Sequence, residues 1–270
     1  MEKEFIIPKF NETKLIFLFS AVLALMFGFL FNRFTDFDSG FFSVLIILFL
    51  FIFLLLYLRL TFMKLAAYRQ CFELTLHKQY LNQFYYKAQD KISYHQKNLK
   101  KGIPAYVFGI ILYILTLGIF IMPYFWRYEY KKIPHLHIGS RQWLEGDSPN
   151  DMHLEVSDYR LSKVFLAGFI YYVIFTLILK LFISSENIFY EPFIFIMFYL
   201  AFFSLIPIFN FEGMELWLKN KFAWHIAITS VLTAFIYAML LREFVYLVFF
   251  TVFTIIVITF YLFWRKLVSG

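Results

Sequence analysis

The stretch 201–217, AFFSLIPIFNFEGMELW, interrupts one of the most apolar parts of the chain with Pro207, Asn210, Glu212 and Gly213. Proline cannot donate the backbone hydrogen bond of a helix interior, and asparagine or glycine commonly ends a helix. Glu212 then stands at the end of an apolar span. There it is either a solvated acid at the membrane surface or the remnant of a site.

The composition makes lipid the solvent of this chain. Of its 270 residues, 61% are hydrophobic and 16% are charged, and the mean hydropathy is +0.70. A soluble domain is about 45–50% apolar and about 25% charged, so one soluble core could not cover this much apolar surface. The single cysteine, Cys71, excludes an intramolecular disulfide and a zinc site built from cysteines.

We therefore predict an all-α integral membrane protein, because only helices satisfy their own backbone polar groups in lipid. About 20 apolar residues are needed to cross the hydrocarbon core. The candidate spans are 15–31, 41–62, 104–125, 162–184, 190–211, 222–241 and 244–264. A basic segment at 64–103 and a polar loop at 126–161 complete this single membrane domain.

The distribution of lysine and arginine favours six crossings over seven. If all seven spans cross, these residues divide almost evenly between the two sides of the membrane. If 104–125 enters the membrane and returns, nearly all of them face the cytoplasm together with both termini, as the positive-inside rule requires. Pro104 and Pro123 bracket this segment and fit a re-entrant path. Seven crossings remain the alternative.

The segment 64–103 is basic and carries aromatic residues at intervals. It is either a basic amphipathic helix on an anionic leaflet or a positive-inside loop. Basic charge beside aromatic rings also occurs in proteins that bind nucleic acid, but the membrane explains it here, and we expect no nucleic-acid partner. The candidate membrane-surface cations are Lys87, Lys91, Lys97, Lys100 and Lys101.

Three stretches occur in a characteristic order: FMKLAAYRQCFEL at 62–74, YRLSKVFLAGFIYYVIFTLIL at 159–179 and FFSLIPIFNFEG at 202–213. Together they resemble archaeal and bacterial members of the site-2-protease family of intramembrane zinc metalloproteases. In that family an H-E-x-x-H helix comes first and a helix beginning Ala-Gly-Pro follows. A helix ending N-L-L-P-x-x-x-x-D-G then supplies the third zinc ligand. The resemblance covers roughly residues 41–240 and implies the cell membrane of a prokaryote.

The same resemblance implies that the catalytic residues are lost. The H-E-x-x-H motif falls on 59–63, where Arg59, Leu60 and Met63 replace the first histidine, the glutamate and the second histidine. In the motif, two histidines on one helical face bind zinc and the glutamate activates its water. None of the three replacements can do this. Glu212 alone stands at a ligand position, which is an aspartate in the family.

The structural part of the family pattern is better retained. Phe169 replaces the proline of Ala-Gly-Pro, so the bend at that position is lost. The other matching positions are Ala167, Gly168, Pro207, Asn210 and Gly213. The resemblance therefore implies a metalloprotease-like membrane fold around a vestigial site at Glu212.

We expect a catalytically inactive protein that acts by binding the lipid bilayer and a helix of another membrane protein, without metal or cofactor. Glu212 should lie in water at headgroup level or accept hydrogen bonds from groups such as Asn210. One alternative is an active zinc metalloprotease with rearranged ligands, drawn from Glu212, His225, Glu73 and His77. A transporter, or a lipid-interacting protein using the basic face, is a further alternative, although the span interiors carry almost no charge.

Overall fold

The computed structural model describes residues 6–34, 41–78, 105–116, 121, 126–132, 158–183, 187–207, 212–240, 252–253 and 255–256. Most of them are helical, and two strands form the exception. In chain order the elements are α1 (Phe10–Phe34), α2 (Phe41–Arg69), β1 (Phe72–Lys78), α3 (Ala105–Leu115), β2 (Trp126–Lys132), α4 (Asp158–Phe182), α5 (Tyr190–Leu205), α6 (Glu212–Lys219) and α7 (Lys221–Leu240).

Four helices, α1, α2, α4 and α7, are long and apolar enough to cross a membrane. This is consistent with the integral membrane protein predicted from composition. These helices coincide with the predicted spans 15–31, 41–62, 162–184 and 222–241. The last predicted span, 244–264, lies outside the described residues apart from two short helical pieces.

The other two predicted spans correspond to shorter apolar helices. α5 has 16 residues and ends at Leu205 rather than at 211. The next residue, Ile206, has an extended backbone with φ −60° and ψ 127°, as is common before a proline. α3 has 11 residues and is therefore about 16 Å long, roughly half the thickness of the hydrocarbon core.

The two strands are the departure from an all-α fold. β1 and β2 pair antiparallel, with Phe72 opposite Lys132 at one end and Lys78 opposite Trp126 at the other. The side chains of β1 alternate between buried and more exposed, which is the two-residue period of a strand.

The sheet changes the interpretation of both polar segments. Residues 72–78 form a strand, so the first of the two alternatives for 64–103, a basic amphipathic helix, does not hold in this part, and α2 itself continues to Arg69. The first residues of the predicted loop 126–161 supply the partner strand. The candidate cations from Lys87 to Lys101 lie outside the described residues.

The helices pack in an arrangement that puts α4 near the centre, because it contacts α2, α5, α6 and α7. α2 packs against α1 and α4, α4 packs against α7, and α5 and α6 also contact α7. Aromatic rings fill much of the interior, as where Phe51 of α2 stacks on Phe193 of α5 with ring centroids 4.0 Å apart. The end of α2 that leads into β1 thus lies close to the starts of α4 and α6, and the candidate site is found there.

Candidate functional site

Arg59 and Glu212 form a buried ion pair between α2 and the first residue of α6. Nη2 of Arg59 donates a hydrogen bond to Oε2 of Glu212. The two residues are 1% and 3% exposed, respectively. Burying two charges is costly unless they are paired and hydrogen-bonded, so this contact fixes the position of α6 against α2.

Aromatic side chains enclose the guanidinium group of Arg59. Its Cζ atom lies 4.9 Å from the ring centroid of Tyr172 and 6.0 Å from that of Phe169, both on α4. Its Nη1 atom donates a long hydrogen bond of 3.5 Å to the hydroxyl of Tyr128 on β2. Arginine is well suited to such surroundings, because its planar cation stacks on rings and is weakly hydrated.

The phenol of Tyr128 acts here as a neutral group. Burial raises the pKa of Tyr128 well above its ordinary value, the Glu212 carboxylate raises it further, and Arg59 opposes part of this shift. The second carboxylate oxygen of Glu212, Oε1, is buried and accepts no hydrogen bond from the described residues. The ion pair is thus closely surrounded while one of its oxygens is not satisfied.

Two glycines allow the backbones around the pair to approach. A Cβ atom on Gly168 would lie 2.9 Å from Sδ of Met63 and 3.4 Å from Nη2 of Arg59, so α4 approaches α2 closely at this point. A Cβ atom on Gly213 would lie 2.2 Å from the carbonyl oxygen of Leu205. A larger residue at 213 would therefore displace the start of α6 from the end of α5.

The structure brings together several of the residues singled out from the sequence. Arg59 and Met63 of α2, Gly168 of α4, and Glu212 and Gly213 of α6 converge on one buried region. The remaining positions lie around it or cannot be placed: Leu60 is buried, Ala167 is half-buried, Pro207 is exposed, and Asn210 lies outside the described residues.

The expectation that Glu212 lies in headgroup-level water is wrong. Glu212 is buried and paired with Arg59, whose positive charge compensates the charge of this carboxylate. The sequence analysis considers Arg59 only as a residue that cannot bind zinc. The signal that could have identified the pair is an arginine inside an apolar helix, which requires a partner.

The alternative zinc ligands have other neighbours. Glu73 pairs with Lys9 at 2.5 Å, and His77 lies 3.5 Å from Glu129 across the sheet. His225 packs against two tryptophan rings. In the part of the chain that the structure describes, no group of three His, Cys, Asp or Glu residues is placed to hold a metal ion.

A second buried ion pair lies a little further along α2, and sequence analysis missed it. Nζ of Lys64 is 2.6 Å from Oε2 of Glu12 at the start of α1. The same Oε2 accepts a hydrogen bond from the backbone N–H of Lys9 at 2.6 Å. Oε1 of Glu12 accepts one from the backbone N–H of Leu76 in β1 at 2.9 Å. Glu12 therefore joins α1, α2 and β1.

Together these features describe a mostly helical protein with four candidate membrane-spanning helices and an ionic centre buried between α2, α4, α6 and a small sheet. No protein-family model matches the chain, and comparisons with curated proteins and with solved structures give no significant match.

Proposed function

We propose that this protein is a catalytically inactive relative of the site-2 proteases that binds other membrane proteins without cutting them. One observation carries the proposal. The buried ion pair joins Arg59, at the first position of the aligned H-E-x-x-H motif, to Glu212, at the position of the third zinc ligand. Residues that resemble the two sides of a metal site are thus linked by their own opposite charges.

The packing of α4 supports the same kinship. In the resemblance, Ala167 and Gly168 stand where the family has the Ala-Gly of its second helix. Gly168 packs directly against Met63, at the position of the second motif histidine, and against Arg59. Residues from three widely separated parts of the sequence are therefore in contact, which supports the proposal.

The chemistry of the pair opposes metal binding. A guanidinium group is always charged and cannot coordinate a cation. A divalent ion bound by Glu212 would have to displace Arg59 and leave a buried, unpaired positive charge. In our proposal the pair takes over the structural task of a metal, which is to hold α2 and α6 together, and leaves none of the catalytic chemistry.

Metal analysis of the purified protein, beside a Glu212→Gln variant, tests the loss of catalysis. We expect no stoichiometric zinc in either protein and no cleavage of a panel of transmembrane peptides. About one zinc per chain, lost in the variant together with peptidase activity, would show instead that the protein is a metalloprotease with rearranged ligands.

Site-specific photocrosslinking in native membranes tests the binding function. A crosslinking residue at Ile170, which is 43% exposed on α4 beside Phe169, should give a discrete crosslink to another membrane protein. The matched control is Ile46, which is 60% exposed on α2 and lies far from Arg59 along that helix. Equal and diffuse crosslinking at both positions would contradict the binding role.

The proposed topology has six crossings, with both termini in the cytoplasm and 104–125 entering and leaving on the cytoplasmic side. The strands support this path. β1 follows α2 directly, and β2 follows 104–125, yet the two strands pair with each other. A single crossing between them would place them on opposite sides of the membrane. The short length of α3 agrees with a segment that turns back.

The return part of this segment has a polar partner inside the bundle. The hydroxyl of Tyr199 on α5 accepts a hydrogen bond from the N–H of Ile121 at 3.1 Å and donates one to its carbonyl oxygen at 2.7 Å. Non-helical backbone is tolerated at membrane depth only where such partners exist. Cysteine placed at Ser140 in a Cys71→Ser background should resist an impermeant reagent added outside intact cells. Efficient external labelling would overturn this topology.

A further inference from the structure

A small cavity lies between α4, α5 and α7. It has room for about one water molecule. Two polar side chains line it, those of Tyr172 and Thr176 on α4. The other lining side chains are apolar and include Met197 and Ala201 of α5 and Ala234 of α7. A space of this size excludes a lipid chain, a cofactor or part of another protein, so its occupant is a single small molecule.

Thr176 gives the cavity a hydrogen-bond acceptor. The Thr176 hydroxyl donates to the carbonyl oxygen of Tyr172, one turn earlier in α4, at 2.8 Å. Its only hydrogen is used in this bond, whereas the lone pairs of Oγ1 remain available to a donor. The carbonyl oxygen of Tyr172 also has a second lone pair. The molecule that suits this cavity is therefore one that donates hydrogen bonds.

The combination of size and polarity identifies water as that molecule. Tyr172 and Thr176 are both buried, and buried polar groups lose stability when their hydrogen-bonding capacity is not used. A cavity with a purely apolar lining stays dry, whereas a cavity with polar partners and sufficient room holds a water that makes about three hydrogen bonds. Water is also the smallest molecule that both donates and accepts hydrogen bonds.

Tyr172 connects the cavity with the ionic centre. Its ring centroid lies 4.9 Å from Cζ of Arg59 on α2, and the same residue lines the cavity that faces α5 and α7. The polar interior of the protein therefore continues from the Arg59–Glu212 pair through α4 to this cavity. A water molecule there would provide α4 with a polar contact on the side of α5 and α7.

We infer that one water molecule is bound in the cavity between α4, α5 and α7 and donates a hydrogen bond to Oγ1 of Thr176. It fills a space that the side chains of the three helices leave between them, and it is a constant part of the folded protein. The inference rests on the cavity and its lining alone, so it does not depend on the proposed kinship with metalloproteases.

Radiolytic labelling of the full chain in detergent micelles tests the inference. A short X-ray pulse produces hydroxyl radicals from a bound water in place, and these radicals oxidise the side chains beside it. Met197 lines the cavity, whereas Met63 packs against Gly168, and the two residues are 2% and 0% exposed. Met197 should be oxidised several-fold faster than Met63, and a scavenger confined to bulk solution should not remove this difference.

Substitution of Thr176 tests the hydrogen bond. Thr176→Val keeps the shape of the side chain and removes the acceptor, so oxidation of Met197 should fall nearly to the rate of Met63, while Thr176→Ser should retain it. Thr233→Val is the matched control. Thr233 is as buried as Thr176 and donates to the carbonyl oxygen of Thr229 in the same way, but it is not among the residues that line the cavity. It should leave oxidation of Met197 unchanged.

A change in the volume of the cavity gives an independent test. Ala201→Val adds bulk to the cavity wall and should lower oxidation of Met197 as Thr176→Val does. Oxidation of Met197 at the rate of Met63 in the unaltered protein would overturn the inference, because the cavity would then be dry. Unchanged oxidation in Thr176→Val would also overturn it. If the variants do not fold, the comparison of Met197 with Met63 in the unaltered protein still decides.

Discussion

The two ion pairs buried along α2 differ in how completely their carboxylates are satisfied. Glu12 accepts hydrogen bonds from Lys64 and from the backbone N–H groups of Lys9 and Leu76. Glu212 pairs with Arg59 through one oxygen, while its other oxygen is buried without a hydrogen bond from the described residues. Backbone N–H groups satisfy the carboxylate of the Glu12–Lys64 pair, whereas aromatic rings surround the Arg59–Glu212 pair.

This difference predicts that the Glu12–Lys64 pair is harder to replace than the Arg59–Glu212 pair. A carboxylate that binds backbone N–H groups cannot be replaced without leaving those groups unsatisfied. A pair that consists of two side chains among rings can be exchanged for other side chains of similar volume. The Arg59–Glu212 pair is of the second kind.

The largest effect is expected from breaking the pair of Glu12 and Lys64. Glu12→Ala would leave the Lys64 ammonium and two backbone N–H groups buried without their acceptor. Removing one partner of a buried pair typically costs about 3–5 kcal/mol, and we expect a loss of that size in the free energy of unfolding measured in mixed micelles. Glu191→Ala, which removes an exposed acid from the first turn of α5, is the control. A loss of unfolding free energy as small as that of the control would refute the role of Glu12 in holding α1, α2 and β1 together.

Double substitutions sharpen the comparison. Arg59→Met with Glu212→Met removes both charges and retains much of the volume, so the unfolding free energy should stay within about 1 kcal/mol of the unaltered protein. Glu12→Met with Lys64→Met should still lose at least about 2 kcal/mol, because two backbone N–H groups lose their acceptor. Equal losses of unfolding free energy in the two double variants would mean that the backbone hydrogen bonds to Glu12 do not make its pair harder to replace.

The sequence predicted the apolar framework better than the polar contacts. Long apolar helices can be recognised because lipid demands about 20 apolar residues per crossing, and α1, α2, α4 and α7 show it. The strand Phe72–Lys78 lies in the predicted basic segment, although its apolar and polar residues alternate as in a strand. Its partner lies beyond an intervening apolar segment, and local patterns do not reveal such pairing.

The sequence analysis names residues of the buried centre without predicting the contact between them. The resemblance selected Arg59, Gly168 and Glu212, which the structure brings together. It did not identify the ion pair, because Arg59 and Glu212 are separated by 153 positions. Tyr128 and Tyr172 carry no sequence signal that distinguishes them from the many other aromatic residues, so only the fold identifies them as neighbours of Arg59.

The close approach of α4 to α2 gives a smaller effect. Gly168→Ala would place a methyl group 2.9 Å from Sδ of Met63. That atom belongs to a flexible side chain, so we expect a cost near the lower end of overpacking, about 1 kcal/mol. Shortening the neighbour in Gly168→Ala with Met63→Val should recover part of the loss. The close approach would be unimportant if Gly168→Ala left the unfolding free energy unchanged.

The smallest effect is expected at Tyr128, where hydroxyl removal tests whether the ring or the O–H group matters to the Arg59–Glu212 pair. Tyr128→Phe retains the ring and loses one long hydrogen bond, so near pH 8 it should cost about 0.5–1.5 kcal/mol.

The pKa of Tyr128 is raised in the folded protein, chiefly by burial and then by Glu212. Above about pH 10, the tyrosine of the unfolded chain therefore ionises before that of the folded protein, and the unaltered protein loses stability as the pH rises. Unfolding free energies at pH 8 and pH 11 should show its advantage over Tyr128→Phe shrinking or vanishing at the higher pH. A constant difference at both pH values would place the phenol in contact with water rather than beside the buried carboxylate.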